Sequence, residues 1–308
     1  MAGLSYVESR IAYVNGVFVP VEEASVSVFD RGFLYGDGVY ETLGLHAGRL
    51  FRLDDHLERL YDSASLIGLG LRVTRDDLRE VVRETVRRNG FADAYVRIVV
   101  SRGPSFPSMD PRAATQATTI VVLCHSRVQP PGLSNFFGAD GLRLQIVSVR
   151  KTPSVSLDPH AKTLNYLNQM MARMEATNSG ADEAVLYDMR GFIAEGAGDN
   201  VFAVHGEELI TPTAREILVG ITRTTIIELA SELGQEVSER DMTAYDLYTA
   251  NEVFLTSTYG GVLPVATVNG RRVGDGKIPG KTTAALLAAY ERELSTSGEL
   301  IDLQPVTA

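Results

Sequence analysis

Four of the 29 Lys and Arg residues are lysines: Lys151, Lys162, Lys277 and Lys281. Arginine stays protonated at working pH, so chemistry that needs a primary amine, Schiff-base formation above all, falls to one of these four. Lys162 has the most distinctive setting, in Asp158-Pro-His-Ala-Lys162-Thr-Leu-Asn-Tyr166-Leu-Asn. The spacing predicts a helix over about 163–177 with an apolar stripe of Leu164, Leu167, Met171 and Met174. An amine at the start of such a helix is partly desolvated and close to the positive end of the dipole, and both effects favour the neutral nucleophile. The same pattern suits a solvated lysine beside a helix cap equally well. Glu195 is a carboxylate between the apolar run Phe192-Ile-Ala and the Gly-rich turn Gly196-Ala-Gly-Asp, where small residues would let a flat ring approach the backbone. Val201 stands where a dinucleotide-binding loop needs its third glycine, and a solvated turn is the plainer reading. Gly220-Ile221-Thr222-Arg223 leads into a helix predicted over about 222–233. Its free amides could receive a phosphate, or it could be an ordinary Thr-capped start.

The elements that must position these residues are legible in outline. Asn15-Gly16 joins two β-rich runs, a strong hairpin signal, and a second hairpin is centred on His46-Ala-Gly48. Leu53, Leu57, Leu60, Ala64 and Ile67 have helical spacing, and Thr74 with Asp77 reads as a capping box for a helix that stops at Asn89-Gly90. Strands are expected near 94–101 and 118–125. Gln129-Pro-Pro-Gly-Leu-Ser134 can continue neither strand nor helix and marks a domain boundary. Strands near 142–149, 184–187, 200–204 and 252–255 follow, with a closing helix over about 282–294. The fold class is therefore α+β, mixed α/β, with a small N-terminal domain over residues 1–128, an interdomain loop over 129–135 and a larger mixed-sheet domain over 136–308.

The composition sets outer bounds. With 308 residues, 44% of them hydrophobic, the chain can build a substantial core. A formal net charge of −10 argues against general affinity for nucleic acid or an anionic membrane. The one cysteine, Cys124, allows no intramolecular disulfide or multi-thiolate metal site and sits in a run that reads as a buried strand. No targeting segment or membrane span is expected, and a reducing cytoplasm is the natural compartment.

Seven pieces in fixed order resemble the class IV aminotransferases, the pyridoxal phosphate (PLP) enzymes of fold type IV: Leu34-Tyr-Gly-Asp-Gly-Val-Tyr-Glu41, Phe51-Arg-Leu-Asp-Asp-His-Leu-Glu-Arg59, Ala94-Tyr-Val-Arg97, Lys162-x-x-Asn-Tyr166-Leu, Glu195-Gly-Ala-Gly-Asp-Asn200, Gly220-Ile-Thr-Arg and Thr256-Ser-Thr258. The resemblance implies that Lys162 carries PLP as a Schiff base and moves the substrate proton. It implies that Glu195 meets the ring nitrogen and Tyr166 the phenolic oxygen, while Arg59, the Ile221 and Thr222 amides and Thr258 hold the phosphate.

On the substrate side it places Tyr35, Tyr40, Tyr95, Arg97 and Tyr259 around the pocket. Tyr95-Val-Arg97 is similar to the Tyr-x-Arg of branched-chain aminotransferases, where the arginine receives the distal carboxylate of glutamate or 2-oxoglutarate. The implied reaction transfers an amino group from branched-chain or other apolar L-amino acids to 2-oxoglutarate. Two segments depart from the branched-chain pattern: Ser101–Arg112, and Thr258-Tyr259-Gly260-Gly261, which looks more like (R)-selective amine transaminases. A D-amino acid or (R)-amine transaminase is therefore the alternative, with a 4-amino-4-deoxychorismate lyase or a silent PLP-binding protein behind it. A homodimer or higher homo-oligomer is implied by resemblance alone.

Overall fold

The computed structural model describes residues 9–114, 117–127 and 140–303. The chain divides into two compact units: Met1–Val128, Ala161–Asn165 and Leu294–Ala308 form the first, and Gln129–His160 with Tyr166–Glu293 form the second. The Gln129–Ser134 connection lies outside the described residues.

In the first unit Asn15 and Gly16, at φ 50° and 99°, turn strand β1 (Ile11–Val14) into β2 (Val17–Pro20), the left-handed pair an Asn-Gly hairpin requires. A short helix α1 (Arg31–Tyr35) precedes β3 (Gly38–His46) and β4 (Arg49–Leu50), the second predicted hairpin. Helices α2 (Leu53–Leu66) and α3 (Arg75–Asn89) follow, then β5 (Ala94–Ser101) and β6 (Thr119–Ser126). The Asp77 amide donates to Thr74 Oγ1 at 3.1 Å and Gly90 closes α3 at φ 69°, so both predicted ends of that helix hold. With the terminal pair Glu299–Leu300, the strands make an antiparallel sheet in the order Glu299–Leu300, β4, β3, β5, β6, β1, β2.

The pleat divides the sheet's residues chemically. Leu43, Leu45, Val96, Ile98, Val122 and Cys124 share one core with Leu53, Leu57, Leu60 and Ala64 of α2 and Leu78, Val82 and Val86 of α3. Burial pushes the Cys124 thiol up to about 12, as befits a core side chain with no chemistry to do. Side chains alternate along a strand, so Tyr40, Thr42, Tyr95, Arg97 and His125 stand on the opposite face, in register Thr42 to Arg97 and Tyr95 to His125.

The second unit begins with β7 (Leu142–Arg150), α4 (Leu167–Asn178), β8 (Glu183–Tyr187) and β9 (Ile193–Gly196). It continues through β10 (Asn200–His205), β11 (Glu208–Thr211), α5 (Ile221–Glu232), β12 (Glu236–Glu239), α6 (Ala244–Tyr248), β13 (Glu252–Ser257), β14 (Gly261–Val268), β15 (Arg271–Arg272) and α7 (Lys281–Thr296). The sheet runs β12, β11, β10, β13, β14, β7, β8, β9, with β15 beside β14. Its pairs β14–β7, β7–β8 and β11–β12 are parallel, and α4 bridges β7 to β8 and α5 bridges β11 to β12, because a parallel return needs a long crossover.

Two expectations fail here. The helix after Lys162 starts at Leu167, four residues later than predicted, because residues 161–165 pair with the first unit instead. The predicted stripe is not the core face of α4 either: Leu167, Met171 and Met174 are exposed, and Ala172 and Ala176 pack against Val147, Ala184 and Leu186. A helix lying close to a sheet buries its small residues, and hydrophobicity alone does not reveal that. Among the described residues, no helix is long and apolar enough to cross a membrane.

Candidate active site

Lys162 belongs to no helix. Its carbonyl accepts the Tyr40 amide at 2.9 Å, the Leu164 amide donates to Gly38 O at 3.0 Å, and Thr163 bridges Val39, so the segment lies along the start of β3. The Lys162 amide donates to Ser63 Oγ of α2 at 3.0 Å. Fixed at both backbone groups, Lys162 sets its ammonium 4.6 Å from the centre of the Tyr40 ring. Lys162 therefore sits at no helix start, and strand pairing with cation–π contact to Tyr40 sets its place.

Arg59 is aimed by a buried carboxylate. Its Nε and NH2 groups donate to Glu41 Oε1 and Oε2 at 2.6 and 2.9 Å, a two-pronged pair, and Glu41 is wholly buried. His56 Nδ1 lies 2.8 Å from Glu41 Oε2. A carboxylate can only accept, so this contact assigns the proton to Nδ1. Burial alone would raise the Glu41 carboxyl, but Arg59 and His56 outweigh it and hold the group far below the usual carboxylate range. Burial also holds His56 below the ordinary imidazole value, against the pull of Glu41.

On the sheet face of Tyr40, the Arg97 guanidinium stacks 4.2 Å from the centre of that ring. Tyr95 is fully buried two residues away, 5.8 Å from the His125 ring. The structure thus brings Tyr40, Arg97 and Lys162 together with Tyr95 beside them. Tyr35 ends α1 elsewhere, 37% exposed, beneath the Arg31 guanidinium at 5.2 Å. Arg31 also fastens the departing segment, reaching Asp37 at 2.8 Å and the Ser108 carbonyl at 2.6 Å.

In the second unit Glu195 is no solvated turn residue. It is 6% exposed, and its Oε1 meets Lys151 Nζ at 2.5 Å. Oε2 accepts the Leu218 amide at 3.0 Å and faces Asn200 Nδ2 at 3.5 Å, while Asn200 Nδ2 also donates to Leu218 O at 3.0 Å. A Cβ on Gly220 would stand 2.1 Å from Asn200 Oδ1, so only glycine allows the start of α5 to approach this close. Gly220 caps α5 with no side-chain hydrogen bond, contrary to the Thr-capped alternative. The first amides, those of Ile221 and Thr222, thus receive no side-chain cap and suit an anion. Thr256, opposite Asn200 in the β10–β13 register, carries a buried Oγ1 with no hydrogen-bond partner. Thr258 and Tyr259, both half-buried, lie in the β13–β14 turn, and half-buried Tyr166 caps α4.

The family model described as Amino-transferase class IV matches residues 38–268. The chain belongs to this family. It is similar to a putative branched-chain-amino-acid aminotransferase of Methanocaldococcus jannaschii, 44% identical over 91% of this chain and 94% of the relative. Among solved structures, a T.th. branched-chain amino acid aminotransferase with pyridoxamine 5'-phosphate superposes at a TM-score of 0.87, with 32% identity over 93% and 94% of the two chains. The same protein complexed with N-(5'-phosphopyridoxyl)-L-glutamate gives 0.86 and 32%, over 94% and 95%. The mixed α+β, fold type IV expectation holds, and the chain is a PLP-dependent transaminase. Each unit carries groups of the kind that cofactor needs: the first a fixed primary amine and an arginine oriented by Glu41, the second a buried carboxylate and an uncapped helix start.

Sequence reading missed Glu41 and His56, which pack with Arg59, and Lys151 and Leu218, which meet Glu195. Glu41 and His56 lie within family motifs, yet only packing reveals that they face Arg59. Lys151 had one signal, its place as a lone lysine at the end of an alternating strand in a chain that otherwise uses arginine.

Proposed function

We propose that the protein transfers the amino group of branched-chain or other apolar L-amino acids to 2-oxoglutarate. The observation that carries this reading is Arg97 stacked on Tyr40 beside Lys162, a second cation on a face that also carries Tyr95. A guanidinium can take the distal carboxylate of glutamate in two hydrogen bonds. The complex of the T.th. relative with a glutamate adduct supports the same acceptor.

PLP supplies an electron sink for the pair left behind when a proton leaves the substrate's Cα. In this reading Lys162 would hold the cofactor through its amine and, once the substrate's amine has displaced it, would move that proton. Glu195 accepts the ring N–H and Tyr166 bonds the phenolic oxygen. Arg59, the Ile221 and Thr222 amides and Thr258 hold the phosphate. Tyr35, Tyr40, Tyr95, Arg97 and Tyr259 shape the substrate side. A cytoplasmic homodimer or larger homo-oligomer belongs to the same proposal.

The (R)-amine alternative leaned on Gly260-Gly261. Gly261 has φ 68° and pairs with Ser257 in the β13–β14 turn, and a Cβ on Gly260 would stand 2.4 Å from Leu263 Cδ1. The left-handed backbone at Gly261 and the Leu263 side chain packed against Gly260 give both glycines a local reason that needs no appeal to specificity.

Half-reactions test the proposal: the loss of the cofactor's visible band is followed with L-leucine, L-glutamate, D-alanine and (R)-1-phenylethylamine separately. Both L-acids are expected to react, and Arg97→Ala to cost L-glutamate ~2–4 kcal/mol of transition-state binding while sparing L-leucine. Faster reaction with D-alanine or the (R)-amine overturns the L-specific reading, equal losses on both L-acids make Arg97 structural, and a band that no donor moves means a silent binder.

A further inference from the structure

Lys151 is buried, 5% exposed, and directly follows β7, where its amide donates to Tyr187 O at 2.9 Å. That bond joins it to the end of β8, and β8 pairs with β9, the strand that carries Glu195. The ammonium therefore projects from a fixed sheet position and meets Glu195 Oε1 at 2.5 Å. The Leu218 amide and Asn200 approach the other oxygen. Three donors from three separate segments thus converge on one carboxylate, and Lys151 is the only cation among them.

We propose that Lys151 is a positioning residue: its ammonium fixes the orientation and charge of Glu195, so that the carboxylate presents a spare lone pair to the ring nitrogen of PLP. The inference rests on the reading that Glu195 meets that nitrogen. A buried carboxylate with no cation is strongly disfavoured, and a preorganised charge stabilises a developing one only when it need not reorient. The pairing also explains how a second primary amine can lie beside the ring-nitrogen carboxylate without competing for the cofactor: held as a cation against Glu195, it is no nucleophile.

The test uses holoenzyme reconstituted with PLP labelled with ¹⁵N in the ring, because the nitrogen's chemical shift distinguishes pyridinium from pyridine whatever the turnover. Wild type and Lys151→Arg are expected to give the pyridinium shift. Lys151→Met is expected to move it towards pyridine and to slow the L-leucine half-reaction at least ~100-fold, the scale of losing one preorganised contact in a water-excluded site. Lys151→Arg is expected to stay within about fivefold of wild type on the same scale. Because Lys151→Met leaves Glu195 buried without a cation and can fail to fold, Lys151→Gln, which keeps a donor and loses only the charge, serves as the second variant with the same expected shift. Whichever neutral variant folds, an unchanged pyridinium shift together with a near-normal half-reaction overturns the proposal, as does failure of Lys151→Arg to restore the wild-type shift. Glu195→Gln separates the two readings: a pyridinium shift unchanged in that variant refutes the placement of Glu195 on the ring nitrogen itself.

Discussion

Replacing Glu41 with glutamine changes two atoms' chemistry and almost no volume, yet it should be among the most damaging single substitutions in the first unit. Glu41 is wholly buried and accepts from Arg59 Nε at 2.6 Å, Arg59 NH2 at 2.9 Å and His56 Nδ1 at 2.8 Å. All three partners donate. A glutamine amide keeps one accepting oxygen and turns its NH2 against at least one of these donors, and the Arg59 charge, only 15% exposed, loses its counterion. Breaking a buried ion pair on one side costs about 3–5 kcal/mol, a large share of the ~5–15 kcal/mol that holds a typical protein folded. Thermal or urea unfolding of the apoprotein at pH 7 reads the loss. The pH dependence adds a sign. The Glu41 carboxyl lies lower in the folded state than in the unfolded one, so its stabilisation is complete above the ordinary carboxylate range and is lost as the pH falls below that range towards the folded value. The gap between wild type and Glu41→Gln should therefore be widest near neutrality and narrow in acid. A difference below about 1 kcal/mol at pH 7, or one that widens on acidification, would refute the reasoning.

Two further outcomes follow from named residues. Lys162→Ala should retain the fold and lose transamination, and borohydride reduction should fix the cofactor to Lys162 in wild type; label found on Lys151, Lys277 or Lys281 would reassign the amine. Burial, chiefly, together with the neighbouring Asp199 pushes Glu183 up to about 8 against the pull of Arg173. A carboxyl raised on folding binds a proton that the unfolded chain has already released, so stability should fall by up to ~1.4 kcal/mol per pH unit between about pH 5 and 8, and Glu183→Gln should flatten that slope; parallel stability–pH curves for the two proteins would remove Glu183 as its source.

Much of the frame was legible without coordinates because it depends on neighbours in sequence. Asn15-Gly16 needs only local φ preference to make its turn, Thr74 caps α3 through an amide three residues away, and the Leu53–Leu57–Leu60 spacing selects one face of α2 whatever that face meets. The family's motifs likewise singled out Lys162, Glu195 and Arg59 from types and order alone. Tertiary structure decided what each of them touches. Residues 163–165 stay out of the predicted helix because their segment finds strand partners at Tyr40 and Gly38, more than 120 residues away, and no periodicity records such a bond. The exposed methionines of α4 and its buried alanines reversed the hydrophobic expectation because closeness to the sheet, rather than apolarity, chose the packed face. Lys151 and Glu195, and Arg59 and Glu41, are charge pairs joined only by folding: a sequence states how many charges a chain carries, and burial decides which of them must find each other.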